Sequence, residues 1–361
     1  MFGAPRHLSL AAVGARGVAW PVPFSLEPLL ARRGENVVAL VSGDPFWFGA
    51  GASIARVLPR EEYRVVSAPS CFSLAAAHLG WSLEEVTCLG LHARALEEAL
   101  PHLHPGARLL CLLRDGSAPA DLAGYLARQG FGESQLHVME SLGGARERVR
   151  SAAAEAFALD DVTAPVLVAV EVEGAAGLAR TPGRPDSTFE NDGQITKAPI
   201  RALTLAALAP RMGELLWDIG AGSGSIGVEW CLAGGRAIAI EPNAARCDNI
   251  RTNMARFGLA RCCTLIEGKA PEALAGLPAP AAVFIGGGAD AALLETLWSL
   301  LPQGTRIVAN AVTLETETLL MQAQAEKGGE LLRIDIASMA PLGRMRGWQP
   351  SRPIMQWSAT L

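Results

Sequence analysis

The chain has 361 residues, a net charge of −5 at pH 7 and 50% apolar residues. This length and composition predict a globular protein of two domains and exclude a disordered chain. The acidic balance argues against a broad nucleic-acid surface, and no uncharged apolar run is long enough to span a membrane. Seven cysteines without a C-x-x-C pair predict reduced thiols in a cytoplasmic protein with no metal site.

The first half of the chain predicts a small α/β domain. Residues 1–10 contain no clear strand, so residues 37–41 (VVALV) form the first predicted buried strand. The following turn, residues 42–51, contains Gly-Asp-Pro, and its later glycines allow a helix over 52–58 to pack closely. Further strands are predicted at 63–66, 86–91, 108–113, 136–139 and 166–172, and helices at 74–79, 119–128 and 147–157.

Residues 174–185 are rich in glycine and proline and have no periodicity, which predicts a linker. The linker separates a first domain, residues 1–173, from a second domain, residues 186–361. Pro199 then opens a predicted helix whose apolar residues recur on one face.

Residues 214–227 (ELLWDIGAGSGSIG) are the most informative stretch of the second domain. The apolar run at 215–217 predicts a buried strand, residues 226–232 predict a helix, and glycine recurs between them at every second position. A strand, a glycine turn and a helix in this order predict the first unit of a doubly wound sheet, with a ligand at the carboxyl end of the strand.

Two ligands suit this turn, and a purely structural turn is a third interpretation. A dinucleotide prefers G-x-G-x-x-G, but Ser225 occupies the third position. Asp218, directly before the turn, suits the cationic methionine end of S-adenosylmethionine (SAM). Glu241 ends the next predicted strand, 237–241, at the spacing of a ribose-binding carboxylate. The two acids together favour SAM.

After a predicted helix over 244–257, strands are predicted at 264–267, 281–285 and 304–309. In a doubly wound sheet their carboxyl ends would meet along one edge, where such folds place their chemistry. Two closing strands are predicted at 331–337 and 353–357. The stretch between them is predicted to be a loop that carries Arg344, Arg346 and Trp348.

The motifs of the second domain resemble the CbiT-type domain of corrin biosynthesis, at residues 189–197, 218–224, 268–271, 284–287 and 309–315. The first domain resembles the CbiE-type domain, a tetrapyrrole methylase, at residues 43–51, 68–70 and 91–94. The resemblance implies an α/β tetrapyrrole-methylase-like domain followed by a doubly wound, Rossmann-like class I SAM-methyltransferase domain.

These families imply SAM-dependent methylation of a precorrin at carbons 5 and 15, with decarboxylation of the ring C acetate, in cobalamin biosynthesis. They also imply a homo-oligomer, a tetramer for the CbiT-type domain. One alternative is that only the second domain is active, in C15 methylation and decarboxylation, while the first is a docking or oligomerisation module. A SAM-dependent RNA methyltransferase is another alternative, which the acidic balance and the Gly-Asp-Pro domain disfavour.

The matching motifs imply a set of cofactor-binding residues in each domain. In the second domain the methionine end of SAM would be held by Asp218, Gly220, Ala221, Gly222, Ser223 and Gly224. The ribose would be held by Glu241, and adenine would be bordered by Gly268, Lys269 and Ala270. Thr196 and Lys197 would cap this site. In the first domain a second SAM would be approached by Gly43, Asp44, Pro45, Gly49 and Ser70.

Thr196 and Asn310 are the catalytic candidates, although a helix cap and a turn are equally good interpretations of these two residues. Arg201, Arg344 and Arg346 are the candidates for binding the carboxylates of a precorrin, because arginine pairs with carboxylates bidentately. A solvated surface is the alternative for these arginines.

The sequence departs from the two families in two places. CbiE-type domains open with a strand and a Gly-Ile-Gly turn that belongs to their SAM site, and this chain begins near residues 3–8 (GAPRHL), just beyond that turn. A complete SAM site in the first domain depends on that strand and turn. The CbiT-type family usually has an acid where Lys269 stands, and an ammonium cannot accept a hydrogen bond from the adenine amino group.

Overall fold

The computed structural model describes residues 1–361, which form two compact units. The N-terminal unit comprises residues 1–96 and 102–176, and the C-terminal unit comprises residues 97–101 and 177–361. None of the helices is both long enough and apolar enough to cross a lipid bilayer.

The N-terminal unit contains a five-stranded sheet of order β3-β4-β7-β5-β6, in which only β3 and β4 are parallel neighbours. Phe72 and Ala75 of α4 pack against Leu110 and Leu167 of the sheet. The elements are β1 (Phe2–Gly3), α1 (Pro5–Leu10), β2 (Val18–Ala19), α2 (Glu27–Leu30), α3 (Gly51–Ala55), α4 (Cys71–Leu79), β3 (Thr87–Gly90), β4 (Arg108–Leu112), α5 (Ala118–Arg128), β5 (Gln135–Glu140), β6 (Arg148–Ala153) and β7 (Val166–Glu171).

Four sequence predictions for this unit are wrong. The stretch 37–41 makes only one parallel bridge, Phe2 to Ala39, because its neighbour β1 is two residues long. β1 itself lies in residues 1–10, where no strand was predicted, and residues 63–66 are not a strand. Residues 147–157 contain β6 instead of a helix. Arg148 and Arg150 lie two apart on one face of β6, and both pair with Glu140 of β5.

The C-terminal unit contains a seven-stranded sheet of order β10-β9-β8-β11-β12-β16-β13. Neighbouring strands are parallel from β10 to β12, and β16 runs antiparallel to both of its neighbours, β12 and β13. Trp217, Val283 and Ile307 are buried at its centre. Its elements are α6 (Ala198–Leu208), β8 (Leu215–Ile219), α7 (Ser225–Leu232), β9 (Arg236–Glu241), α8 (Ala244–Arg256), β10 (Cys263–Glu267), β11 (Ala282–Ile285), α9 (Ala291–Leu300), β12 (Arg306–Ala311), α10 (Leu314–Lys327), β13 (Glu330–Ile334), β14 (Ala337–Leu342), β15 (Met345–Pro350) and β16 (Ile354–Thr360).

The two closing strands are present as β13 and β16, but the predicted loop between them is a β-hairpin of β14 and β15. Met339 pairs with Trp348 and Leu342 pairs with Met345, and these four side chains are 57–77% exposed. The hairpin is therefore a two-stranded ribbon that presents apolar side chains to solvent.

A buried ion-pair network joins the segment before α6 to α7. Arg201 has no exposed surface, and its Nε donates to Glu229 Oε1 at 2.9 Å, while Nη1 lies 3.3 Å from Asp186 Oδ1. Nη1 also donates to the Thr196 carbonyl, and the guanidinium lies 4.7 Å from the centroid of the Phe189 ring. The prediction that Arg201 binds substrate is therefore wrong, because its nitrogens are bonded inside the unit.

This network predicts a large loss of stability in Arg201→Met. The variant removes the nearer of the two guanidinium groups from the Glu229 carboxylate, which is 3% exposed, and leaves only that of Arg184, 3.9 Å from Oε2. Breaking a buried pair from one side costs about 3–5 kcal/mol of the free energy of unfolding, which urea denaturation measures. The matched control is Arg211→Met, whose side chain is 68% exposed and whose effect should stay within about 0.5 kcal/mol. Equal stability of the two variants would contradict the prediction.

Candidate active site

The glycine turn between β8 and α7 has the conformation that its sequence predicts. Gly220, Gly222 and Gly224 have φ values of +66°, +60° and +71°, a region that side chains with a Cβ rarely adopt. At Gly220 an added Cβ would also lie 2.6 Å from the carbonyl oxygen of Gly287, which follows β11. The turn therefore needs glycine both for its dihedral angles and for the close approach of the next loop.

Asp218, near the end of β8, is completely buried and only half satisfied. Its Oδ2 accepts a hydrogen bond from the Gly227 N–H of α7 at 3.0 Å, whereas Oδ1 has no partner. Burial, and to a lesser degree the Glu241 carboxylate, raises the pKa of Asp218 to about 7, although the Gly227 N–H acts in the opposite direction. A buried carboxylate with a free oxygen suits a cationic ligand that donates hydrogen bonds.

Glu241, the last residue of β9, is tied to the glycine turn. Its Oε2 accepts from the Gly222 N–H at 2.8 Å, and its Oε1 accepts from the Asn243 N–H at 3.1 Å. Each carboxylate oxygen can accept more than one hydrogen bond, so the ribose hydroxyls of a nucleoside still have acceptors here. The carboxylate thereby links the turn after β8 to the end of the neighbouring strand.

The loop after β10 reaches the same edge of the sheet. β10 pairs with β9 in register, Glu267 beside Glu241, and the Gly268 N–H donates to the Glu241 carbonyl at 3.1 Å. Lys269 and Ala270 follow, and Ala270 is buried. The predicted adenine-bordering residues are therefore next to the predicted ribose-binding acid.

Two polar residues of this site have features that the sequence did not predict: Ser223 was predicted only as part of the turn, and Asn253 was not predicted at all. The Ser223 hydroxyl is buried without a hydrogen-bond partner. Asn253 of α8 is fully buried, and its amide donates to the carbonyls of Ser223 and Glu190 while accepting from the Glu190 N–H. The available signal was its spacing, three residues after Ile250 on the buried face of a helix.

Thr196 and Lys197 precede α6, but neither caps it with a side chain. Lys197 occupies the N-cap position without a side-chain hydrogen bond, and Asp186 Oδ1 accepts from the Ala198 N–H instead. The helix-cap interpretation of Thr196 is therefore wrong. The same segment approaches the glycine turn, because a Cβ on Gly222 would lie 3.5 Å from the Gln194 carbonyl oxygen.

Asn310 lies within β12 and not in a turn, and its amide is fixed by two neighbours. Its Nδ2 donates to Thr204 Oγ1 at 2.9 Å, and its Oδ1 accepts from Gln356 Nε2 at 2.9 Å. Gln356 Nε2 also donates to Thr204 Oγ1 at 3.1 Å. Arg344 and Arg346 are exposed residues of the β14–β15 hairpin.

The predicted residues of the N-terminal unit form one cluster. Gly43 has a φ of +54°, and an added Cβ would lie 3.0 Å from the Ser70 Cα. Asp44 Oδ1 accepts from the Phe46 N–H at 2.8 Å, and a Cβ on Gly49 would lie 2.7 Å from the Pro45 carbonyl oxygen. Ser70 caps α4 by accepting from the Ser73 N–H. A cavity of about 680 Å³ borders Gly43 and Pro45, which is a volume suited to a small ligand.

The raised pKa of Asp218 predicts how stability depends on pH. Well below about pH 4 the carboxyl is neutral in the folded and unfolded chains alike. Between there and its folded pKa of about 7, only the unfolded chain has lost the proton, so stability falls as pH rises and then levels off. Asp218→Asn should remove this dependence. The free energy of unfolding of the variant, relative to that of the wild type, should therefore rise by roughly 1–3 kcal/mol as the pH is raised through this range.

Urea denaturation of the ligand-free proteins from about pH 5 to about pH 8 measures this difference. Asp248→Asn is the matched control, since the Asp248 side chain is 76% exposed. A difference between wild type and Asp218→Asn that stays constant with pH would contradict the assigned pKa.

Comparison with known families gives a match for each half of the chain. Residues 187–361 match the family described as the precorrin methyltransferase domain, and residues 25–158 match the tetrapyrrole (corrin/porphyrin) methylases. The second of these matches contains the Gly43 cluster, and the first contains the glycine turn with Asp218 and Glu241.

Individual relatives agree with these matches. A precorrin-6Y C(5,15)-methyltransferase [decarboxylating] from Sinorhizobium sp is 50% identical over 370 residues, which cover 100% of this chain and 89% of that protein. A probable cobalt-precorrin-6B C(15)-methyltransferase (decarboxylating) from Saccharolobus solfataricus is 36% identical over 155 residues, 41% of this chain and 78% of that protein. The crystal structure of the C-terminal domain of precorrin-6Y C5,15-methyltransferase from Rhodobacter capsulatus is 65% identical, with a TM-score of 0.50, and covers 51% of this chain and 100% of that one.

The full-length match to the Sinorhizobium protein spans both units, and the two family models divide between them. The chain therefore belongs to the family of the precorrin-6Y C5,15-methyltransferases (decarboxylating), which are SAM-dependent methyltransferases.

Proposed function

We propose that this protein transfers methyl groups from SAM to carbons 5 and 15 of a precorrin and decarboxylates the ring C acetate, as a cytoplasmic enzyme of cobalamin biosynthesis. The observation that carries the proposal is the buried Asp218 carboxylate, whose Oδ1 lacks a partner beside a turn of three left-handed glycines. A buried anion of this kind fits the cationic methionine end of SAM.

When bound, SAM supplies an electrophilic methyl group on a sulfonium. Asp218 would compensate the positive charge of the methionine end, and the glycine turn of residues 220–224 would let the cofactor approach the backbone closely. Glu241 accepts from the ribose hydroxyls, and Gly268, Lys269 and Ala270 border adenine through their backbone. Because methyl transfer is a displacement between positioned carbons, holding the two reactants together supplies most of the rate enhancement.

Asn310 is the residue we place against the substrate in the C-terminal unit. Its amide cannot rotate freely, since Thr204 holds one end and Gln356 holds the other. A fixed amide at this strand of the sheet can orient a polar group of a macrocycle. Thr196 and Lys197 approach the same turn from the segment before α6, and Arg344 and Arg346 remain candidates for carboxylate binding, because both are exposed.

The two units divide the reaction in this proposal. The C-terminal domain, residues 186–361, methylates carbon 15 and decarboxylates, a role supported by the shorter relative named as a C(15)-methyltransferase (decarboxylating). The N-terminal domain, residues 1–173, methylates carbon 5 and binds a second SAM at Gly43, Asp44, Pro45, Gly49 and Ser70. Residues 174–185 link them.

Variants of each site test this division. Asp218→Ala combined with Glu241→Ala should abolish C15 methylation and carbon dioxide release, and should remove one of two SAM sites counted by calorimetry. Gly43→Ala should abolish C5 methylation alone, because its Cβ would meet Ser70 in a left-handed conformation. Mass spectrometry after incubation with SAM and precorrin-6B reads both methyl additions and the loss of carbon dioxide.

Asp248→Ala is the control for the acidic pair, since that carboxylate is exposed. Unchanged SAM affinity in the Asp218/Glu241 double variant would overturn the assigned site. A wild-type protein that binds one SAM and adds no methyl at carbon 5 would instead support the alternative, in which the N-terminal half is a docking or oligomerisation module.

We also propose that the protein is a homo-oligomer assembled through the β14–β15 hairpin, a tetramer in the manner of the resembling family. A two-stranded ribbon is only marginally stable alone, and Met339, Leu342, Met345 and Trp348 would be covered by a second copy. Trp348→Glu should dissociate the oligomer towards the 37.8 kDa chain in light scattering. Met212→Glu, an exposed change in the same unit, should leave the mass unchanged, and an unchanged mass in Trp348→Glu would contradict the proposal.

A further inference from the structure

A polar cluster of the N-terminal unit lies directly beside the Gly43 turn. Arg6 and His7 of α1 both reach Ser42, the residue before Gly43. His7 Nε2 lies 2.8 Å from Ser42 Oγ, and Arg6 Nη2 donates to the same oxygen at 2.9 Å. Ser42 is exposed, whereas His7 is half-buried behind it. None of these three residues belongs to the cofactor cluster described above.

The hydrogen-bond directions within this cluster can be derived from the donors. Arg6 can only donate, and its Nη2 lies 3.3 Å from His7 Nε2 as well as 2.9 Å from Ser42 Oγ. An Nε2 that faces a guanidinium is an acceptor and carries no proton, so the hydroxyl hydrogen of Ser42 points at it. Burial and the Arg6 charge lower the pKa of His7, which keeps the imidazole neutral.

The reaction proposed for this unit requires a proton acceptor. A bridge carbon of a tetrapyrrole carries a hydrogen, and after it receives a methyl group it must lose that hydrogen for conjugation to return. In the reaction proposed for the C-terminal unit, methylation of carbon 15 releases one proton. The decarboxylated acetate carbon takes up one proton, so the two steps together release none. Methylation of carbon 5 has no such partner, so this step releases a net proton, and a base beside carbon 5 would accept it. All six histidines of the chain lie in residues 7–137, within the N-terminal unit.

Exposed aromatic residues a few positions after Ser42 in the chain provide a surface for a flat ring. Phe46, Trp47 and Phe48 are 37–47% exposed, and Trp47 stacks on Phe72 with ring centroids 5.5 Å apart. Phe48 has a φ of +57°, which is strained for a bulky residue and persists only where the surrounding structure fixes the backbone. These rings follow Ser42 within six residues on the same loop, and they offer an apolar face to a macrocycle.

We propose that Ser42, backed by His7, removes the proton from the ring carbon that the N-terminal unit methylates. The inference rests on the proposed function of this unit. The carbon–methyl bond forms with two ring electrons as the sulfur–methyl bond of SAM breaks and S-adenosylhomocysteine leaves. The carbon–hydrogen bond then breaks, its electrons return to the ring, and its proton passes to Ser42 Oγ as the hydroxyl proton of Ser42 passes to His7 Nε2. The imidazolium beside Arg6 is unfavourable, so it gives its proton to solvent.

Ser42→Ala and His7→Gln in the full chain test the proposal with SAM and precorrin-6B. C5 methylation should fall on the order of 100-fold or more in His7→Gln, while C15 methylation, carbon dioxide release and SAM binding continue. With deuterium on the bridge carbon, Ser42→Ala should show a primary isotope effect on C5 methylation that exceeds the wild-type effect. Ser42→Thr, which keeps the hydroxyl, should restore the rate. His78→Gln, an exposed histidine of α4, should behave as wild type.

Nitrogen NMR of histidine-labelled protein, without SAM or precorrin, provides a readout independent of activity. His7 Nε2 should be the unprotonated acceptor nitrogen at neutral pH, and its shift should change in Ser42→Ala. C5 methylation within about twofold of wild type in both variants, or a proton on Nε2, would overturn this inference alone. A wild-type protein that adds no methyl at carbon 5 would overturn the proposed function of the unit together with it.

Discussion

The C-terminal unit depends on a carboxylate that is buried with one oxygen unbonded. Asp218 is held by the Gly227 N–H on one side and faces the neighbouring Glu241 charge, and its pKa is raised to about 7. A fold without a ligand gains nothing from such a group, because an unpaired buried acid opposes folding near neutral pH. In the complex proposed above, a cation would neutralise this carboxylate, and stability given up in the free protein would be recovered as affinity.

The rest of the unit holds that carboxylate and its turn in place. Glu241 fixes the turn by accepting from Gly222, and Asn253 ties Ser223 to the segment at Glu190. The Arg201–Glu229 pair fixes the segment from 183 to 201 against α7, so the residues before α6 stay beside the glycines. These buried polar contacts hold the turn and its neighbouring segments in place before any ligand arrives, while Asp218 Oδ1 and the Ser223 hydroxyl stay unpaired.

The sequence predicted the parts of this structure that depend on local chemistry. The strand, glycine turn and helix at 215–232 follow from dihedral requirements and apolar periodicity, and all three predictions were correct. The errors arose where a distant partner decides the conformation. Residues 147–157 contain good helix formers, yet Glu140 pairs with Arg148 and Arg150 and stabilises a strand. Arginine is usually a surface residue, and only the fold shows that Arg201 is buried in ion pairs with Glu229 and Asp186.

The proposed sites of the two units differ in their titratable groups. The difference follows from the number of protons that each proposed reaction releases or consumes. Decarboxylation consumes a proton, so a site that couples it to methylation needs no base of its own, and the C-terminal unit contains no histidine. A methylation without decarboxylation releases a net proton, and such a site requires a neutral acceptor near the reacting carbon. In the N-terminal unit the Ser42–His7 pair meets that requirement, because Arg6 both orients the hydroxyl and disfavours the imidazolium. Burial and, to a lesser degree, the Arg6 guanidinium lower the pKa of His7, which favours the neutral imidazole before the reaction and release of the proton after it.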